Sequence, residues 1–168
     1  MSYATQRFGF GAALMMSSAL AINPVHRPAS TYEAWLTGAM PLELRGASAE
    51  FGTVPGSPEP FVITLGATSE RGAVVFTRWD GRAPAPGTYT ITAEPTPGGV
   101  QALIVTGPPT RPTGVFRAES GSLVVTRSNG RGISARFQMQ AMGFTADAPE
   151  QEDRKVSVRG AFTATPSR

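Results

Sequence analysis

The sequence predicts an all-β fold, either an antiparallel β-sandwich or an up-and-down β-barrel of about nine strands, preceded by an N-terminal apolar signal or anchor helix. Glycine and proline are abundant, with 19 and 15 among 168 residues, and they separate short runs rich in Val, Ile, Phe and Thr. Apolar and polar residues alternate along the last two long runs, and no segment after residue 45 has a helical period. Short strands joined by tight turns fit both architectures, so the sandwich and the barrel both stay open.

Residues 1–21 have the pattern of a secretory signal peptide. The cation Arg7 precedes the uncharged run Phe8–Ile22, and Ala19–Ala21 supplies the small residues of a cleavage site. As a helix, this run is about 22 Å long, which is short of the roughly 30 Å hydrocarbon core of a bilayer. Its length and flanks favour a cleaved signal over an uncleaved anchor. We therefore expect a periplasmic or secreted protein, with membrane contact through residues 8–22 if the segment is retained.

Residues 22–41 are expected to form a linker with a short helix or turn within Ala29–Met40. A start at Ser30 or Thr31 would place Tyr32, Trp35 and Leu36 on one side of that helix, where they can pack over the sheet.

Residues 42–168 are predicted to form one antiparallel β-domain. Turn chemistry marks a hairpin at Asn129-Gly130, as a type I′ turn, and another at Ser120-Gly121. The predicted strands are Leu42–Thr53, Phe61–Ala67, Ala73–Trp79, Thr88–Glu94, Val100–Thr106, Gly114–Glu119, Ser122–Arg127, Gly132–Phe144 and Arg154–Thr165.

Alternation indicates which side chains face inward. In the penultimate run, Ile133, Phe137 and Met139 share a dry face, while Arg136 and Gln138 share the wet one.

Two further features concern the sheet. The segment Ala102–Val105 is apolar at every position, which predicts a central strand covered on both faces or a strand against a partner. Gly143 and Gly160 lie inside long strands and are candidates for bends or bulges that close a barrel.

Composition excludes several kinds of chemistry. The 15 basic and 12 acidic residues nearly balance, so there is no electrostatic case for a nucleic-acid partner. Cysteine is absent, which excludes disulfides and thiolate metal sites. The one histidine, His26, cannot by itself form a multi-histidine site.

No pattern predicts catalysis. Ser120 lacks the first glycine of the Gly-x-Ser-x-Gly elbow and lies between two strands. The acidic cluster from Asp147 to Asp153 lacks the alternating, glycine-bearing pattern of a calcium loop and is interpreted as a solvated connection. We expect no catalytic residues, no cofactor, no metal and no enzymatic activity, although a pair of carboxylates acting on a glycan leaves no local spacing rule.

Candidate partner contacts come from residue types that are enriched in binding sites. Tryptophan and arginine are frequent at hot spots, and a proline-rich segment such as Gly107–Pro112 is expected to be extended and stiff, which reduces the entropy lost on docking. The predicted contact residues are Trp35, Arg78, Trp79, Pro108, Pro109, Arg111 and Pro112.

The segments Gly114–Asn129, Ile133–Phe144 and Val156–Thr165 together resemble the closing meander of small, uncharacterised exported bacterial β-domain proteins. The resemblance covers about a third of the chain and carries no catalytic motif, so it implies architecture and export. Small β-subunits of this kind can be extrinsic parts of membrane assemblies, and a photosynthetic reaction-centre or antenna complex is one conceivable host.

The favoured function is a non-enzymatic, extracytoplasmic structural or accessory subunit whose partners are protein subunits of a membrane complex. A lipocalin-like carrier is the first alternative, with an apolar ligand held by residues such as Phe76, Ile91, Phe137 and Met139. A carboxylate-based glycan hydrolase is the second.

Overall fold

The computed structural model describes residues 29–56, 59–150 and 154–167, and this part of the chain contains ten β-strands and no helix. None of its segments is therefore a helix long and apolar enough to cross a membrane. The proposed signal or anchor segment and His26 lie outside the described residues. The strands are β1 Thr31–Gly38, β2 Leu42–Gly46, β3 Ala49–Thr53, β4 Phe61–Leu65, β5 Gly72–Arg78, β6 Gly87–Thr92, β7 Gln101–Thr106, β8 Gly114–Asn129, β9 Gly132–Thr145 and β10 Arg154–Pro166.

Seven strands close into a barrel, in the order β3-β4-β5-β7-β8-β9-β10 and back to β3. Each neighbouring pair is antiparallel except the last, where β10 meets β3 in parallel at Thr165–Glu50 and Pro166–Phe51. The all-β prediction is confirmed, and of the two architectures left open the barrel is the one formed. Its parallel seam departs from a simple up-and-down order.

The remaining three strands extend the barrel wall. β1 pairs with β10 and β2 pairs with β1, while β6 pairs with the second half of β8. Because β8, β9 and β10 are 16, 14 and 13 residues long, they also form the centre of a six-stranded sheet, β2-β1-β10-β9-β8-β6. This sheet carries one of the two surfaces described below.

The core consists of the inward-facing residues of the seven barrel strands and of the three added strands. The predicted alternation of β9 is confirmed, since Ile133, Phe137 and Met139 are buried and Arg136 and Gln138 are exposed. The ring of Phe137 lies 5.0 Å from that of Phe76, edge to face, and 6.3 Å from that of Phe162. Side chains of the chain itself therefore fill this part of the interior.

The prediction of a short helix within Ala29–Met40 is wrong. Residues 31–38 form β1, because Tyr32, Ala34 and Leu36 alternate inward with a period of two and pair against β10. The Leu42–Thr53 run is also two strands, β2 and β3, instead of one.

The hairpin predicted at Ser120-Gly121 is wrong as well. This dipeptide lies inside the continuous strand β8, where the register with β9 shifts between Ala118 and Ser120. Glu119 is the extra residue of a β-bulge. Gly121 adopts a φ of 153°, which an L side chain rarely reaches. This glycine therefore does mark an unusual backbone conformation, but the conformation belongs to a strand beside a bulge and not to a hairpin turn.

The Asn129-Gly130 hairpin is confirmed, but its turn is not type I′. Asn129 pairs with Gly132, so the central residues of the turn are Gly130 and Arg131, and neither has positive φ. Instead, Asn129 Oδ1 accepts hydrogen bonds from the backbone N–H groups of Arg131 and Gly132, at 2.9 and 3.0 Å. The asparagine side chain therefore stabilises the turn.

Neither Gly143 nor Gly160 lies at a shift in strand register, so the interpretation as bulges is wrong. A Cβ on Gly160 would lie 2.6 Å from the Phe137 ring, and one on Gly143 would lie 2.7 Å from Phe116 Cα. Both glycines are places where a neighbour approaches the backbone closely.

Candidate interaction surfaces

One outer side of the barrel is apolar. Outward-facing residues of β5, β7, β8 and β9 line up across the strands: Ala73 pairs with Val105, Val105 with Val115, and Val115 with Phe144. In the next row Val75 pairs with Leu103, Leu103 with the exposed Arg117, and Arg117 with Met142. Four strands at about 4.8 Å spacing make this surface roughly 14 Å wide. The outer apolar face comprises Ala73, Val75, Leu103, Val105, Val115, Met142 and Phe144.

Several of the exposed apolar side chains lie on or beside this face. Among the described residues, five large apolar side chains are exposed; Leu103 and Phe144 belong to the face, and Trp79 lies at one end of it. The segment Ala102–Val105 is central, as predicted, because β7 lies between β5 and β8. It is not covered on both faces, since Leu103 remains 39% exposed. The exposure of that strand is what a partner-facing surface requires.

Trp79 lies at one end of the outer apolar face. It continues the outward alternation of β5, and its indole N–H donates a hydrogen bond to the side-chain oxygen of Gln101 on β7. Gln101 in turn donates to the carbonyl of Ala93 at 2.5 Å. The indole ring is held in place while 44% of the residue stays exposed, so it can serve as a preorganised contact.

Arg78 has a different role from its neighbour. It is only 9% exposed, forms an ion pair with Asp80, and places its guanidinium 4.9 Å from the centre of the Tyr89 ring. Its Nε has no hydrogen-bond partner among the described residues. Arg78 therefore joins the end of β5 to β6.

The proline-rich segment lies at the other end of the face. It is the β7–β8 connection, and it is not extended as predicted, because the N–H of Arg111 bonds to the carbonyl of Pro108 at 2.9 Å in a turn. The N–H of Thr113 bonds to the carbonyl of Thr106 and closes the loop. Pro109, Arg111 and Pro112 are exposed. Three of the predicted contact strips, Trp79, Ala102–Val105 and Gly107–Pro112, thus lie along one surface.

A second surface, the polar cleft, lies on the outside of the six-stranded sheet. It has two adjoining parts of about 600 and 480 Å³ that share Trp35, Gln138 and Arg159. The central row crosses the sheet in register: Trp35 on β1, Arg159 on β10, Gln138 on β9 and Ser122 on β8. The rows on either side are Thr37, Ser157, Gln140 and Ser120, and Glu33, Ala161, Arg136 and Val124.

Trp35 is the aromatic residue of this cleft. It is 36% exposed, and the guanidinium of Arg159 lies 6.0 Å from the centre of its ring. Neither Arg159 nor Arg136 has an ion-pair partner among the described residues, and Glu33 has none either. The cleft therefore carries a net positive charge with its guanidinium donors available.

The bulge in β8 places two serines in this cleft. Before Glu119, odd-numbered residues of β8 face outward, whereas after it Ser120 and Ser122 do so, paired with Gln140 and Gln138. A bulge re-aims the side chains that follow it, and here it changes the outer surface from apolar to polar. The sequence predicts the wet face of β9 but not the cleft as a site; the alternating polar positions of the last two strands were the available signal.

The β9–β10 connection contains the acidic residues considered for calcium. The hydrogen bond from Thr145 lowers the pKa of the exposed Asp147, and the positive charge of Arg154, 3.6 Å away, acts in the same direction. Arg154 also donates to Thr145 Oγ1 at 2.6 Å. The described residues include no group of three or more histidines and carboxylates placed to hold a metal ion.

No protein-family model matches the chain, and no curated protein or solved structure is significantly similar to it.

Proposed function

We propose that this protein is a non-enzymatic, extracytoplasmic β-barrel that acts as an accessory subunit of a larger, membrane-associated protein complex. The observation that carries the proposal is the outer apolar face, where Leu103 and Phe144, with Trp79 at one end, leave water-exposed apolar surface on the side of a folded barrel. Contiguous exposed apolar surface of this kind is typical of protein contacts.

The charges and the two ends of the face favour a protein partner. Arg117, between Leu103 and Met142, lies 3.8 Å from Glu94 and 3.9 Å from Glu119, and these are exposed ion pairs that water or a partner can replace at little cost. The proline turn and the hydrogen-bonded indole at the two ends are rigid, which limits the entropy lost on docking. Apolar surface that includes an exposed arginine is compatible with such an interface, because arginine is enriched there.

The filled interior favours an accessory subunit over a carrier of a small ligand. Phe76, Ile91, Phe137 and Met139, the residues considered for a carrier, are at most 4% exposed and belong to one continuous core. The polar cleft and its 600 Å³ part lie on the outside of the sheet. The membrane association in this proposal is based on the apolar run Phe8–Ile22 of the sequence.

The test is co-purification of the full chain from its native membranes, followed by intact-mass measurement of the protein and the components bound to it. We expect a stoichiometric protein partner. Leu103→Glu should lower its recovery at least about tenfold, because a charge buried against an apolar partner remains unpaired. Val54→Glu is the matched control, since Val54 is 48% exposed but lies after β3, away from the face. A monomer without a partner, or equal losses for both variants, would refute the proposal.

A further inference from the structure

We propose that the polar cleft binds an acidic oligosaccharide, a short sugar chain that bears carboxylates, independently of the outer apolar face. The proposal combines three observations: a half-exposed indole, a row of hydrogen-bonding side chains, and two guanidinium groups without ion partners. Its volume of about 600 Å³ is within the usual range of about 300–1,000 Å³ for ligand sites.

The side chains match the chemistry of a sugar. Each sugar hydroxyl both donates and accepts a hydrogen bond, and so do the amides of Gln138 and Gln140 and the hydroxyls of Ser120 and Ser122. Gln140 already accepts from Ser157 at 2.8 Å, which orients its amide group with the NH₂ still available. Gln138 makes no hydrogen bond through its side chain within the described residues. The polar floor is thus partly ordered before a ligand arrives.

Trp35 supplies an apolar surface beside these groups. The negatively charged face of an indole attracts the polarised C–H groups of a sugar ring, and its area is buried without any loss of a polar contact. The guanidinium of Arg159 lies 6.0 Å from the centre of the same ring, at the outer distance for a cation–π contact.

Arg159 and Arg136 are the reason for proposing that the sugar bears carboxylates. Arg159 and Arg136 face outward on neighbouring strands, one diagonal apart, because Arg159 pairs with Gln138 and Arg136 with Ala161. Diagonal neighbours of this kind are about 7–8 Å apart, so a single acidic sugar can reach either guanidinium and a chain of them can reach both. A bidentate bond between a guanidinium and a carboxylate is among the strongest hydrogen-bonded pairs in proteins.

The sheet disfavours a peptide in the same place. Peptides that bind to sheets usually add a strand to a free edge, but β1, β10, β9 and β8 under the cleft have neighbours on both sides. The rows of the cleft offer no deep apolar pocket for an anchoring side chain. A ligand there must be recognised through hydroxyls and charges.

The test uses a galacturonic acid hexamer and, as its matched probe, the same hexamer with its carboxyls reduced to primary alcohols. Calorimetry measures affinity, and ¹H–¹⁵N spectra follow the two indole N–H signals of the chain. We expect the Trp35 signal to shift while the Trp79 signal does not. The reduced hexamer should bind about tenfold or more weakly, at the lower end of the range for hydrogen bonds to charged groups because the cleft is open.

Variants locate the site. Arg159→Gln and Arg136→Gln should each weaken binding of the acidic hexamer about tenfold, and Trp35→Ala by a similar factor, whereas Arg82→Gln, an exposed arginine outside the cleft, should leave it unchanged. Equal affinity for both hexamers, or no Trp35 shift at millimolar ligand, would overturn the assignment. Hexaglutamate binding as tightly as the acidic hexamer would assign the cleft to acidic peptides instead and would also overturn it. None of these results depends on the co-purifying partner.

Discussion

Replacement of Phe137 by alanine tests the assignment of inner and outer faces on β9. Phe137 is 4% exposed, and its ring packs edge to face on Phe76 at 5.0 Å. Truncation removes the transfer free energy of the ring and leaves a cavity, which together cost about 3–5 kcal/mol in a well-packed core. The ring also covers the backbone of Gly160, so water gains access to that strand.

Phe144→Ala is the matched control on the same strand. Phe144 is 38% exposed, so about 60% of a full burial value of roughly 1.5–3 kcal/mol is lost, and no enclosed cavity forms. We expect a loss of about 1–2 kcal/mol. The two substitutions are chemically identical, and the difference between them, about 2–3 kcal/mol, measures burial alone.

The assay is urea denaturation of the isolated protein followed by circular dichroism and tryptophan fluorescence, with the midpoint and slope fitted for each variant. Phe137→Leu, with an expected loss of about 1–2 kcal/mol, replaces the alanine variant if the latter does not fold. Equal losses for the two positions, or a larger one for Phe144, would show that the assignment of faces on β9 is wrong.

Three further predictions concern glycines, the hairpin and the loop. Gly143→Ala should destabilise by about 1–3 kcal/mol, because its Cβ would overlap the backbone of β8, while Gly130→Ala, with open space around it, should be neutral or slightly stabilising in the same denaturation assay. Asn129→Ala should cost about 1 kcal/mol through the two lost hydrogen bonds, and Asn129→Asp should restore most of it; full stability of the alanine variant would contradict the assigned turn. The pKa of Asp147 is lowered, so its contribution to stability is present above the ordinary aspartate pKa of about 3.9 and is lost as pH falls through the lower folded value. A carboxyl ¹³C titration should therefore show a midpoint below that of Thr145→Val, and identical midpoints would disprove the cause.

The sequence predicted β9 and β10 well because their alternation is regular, whereas β8, the longest strand, was predicted as two strands. β9 and β10 differ from the predicted bounds by one residue at most, and their inner and outer faces were assigned correctly. The β1 strand was missed because Tyr32, Trp35 and Leu36 also fit a helical face, and Ala34 is too small to give a strong period of two. Pairing with β10, a distant part of the chain, decides the conformation there.

The two surfaces were predictable to different degrees. The residues of the outer apolar face were partly identified from composition, because Trp79 and Leu103 belong to segments that stand out locally. The polar cleft was not, since its rows combine β1, β8, β9 and β10, and ordinary polar residues acquire meaning only through their register across strands. The bulge at Glu119 adds to the difficulty, because one inserted residue exchanges the two faces of a strand.

The seam between β10 and β3 has a consequence for how the chain reaches this shape. β10 pairs with β9 along most of its length, and its other edge pairs first with β1 and then with β3. Until β10 is in place, β1 lacks this partner, and the barrel closes only when Thr165 pairs with Glu50. Because synthesis begins at the N-terminus, β10 is made last. Until it pairs, several strand edges are unpaired and accessible to neighbouring molecules. Loss of the final strand should therefore yield aggregating material instead of a smaller barrel.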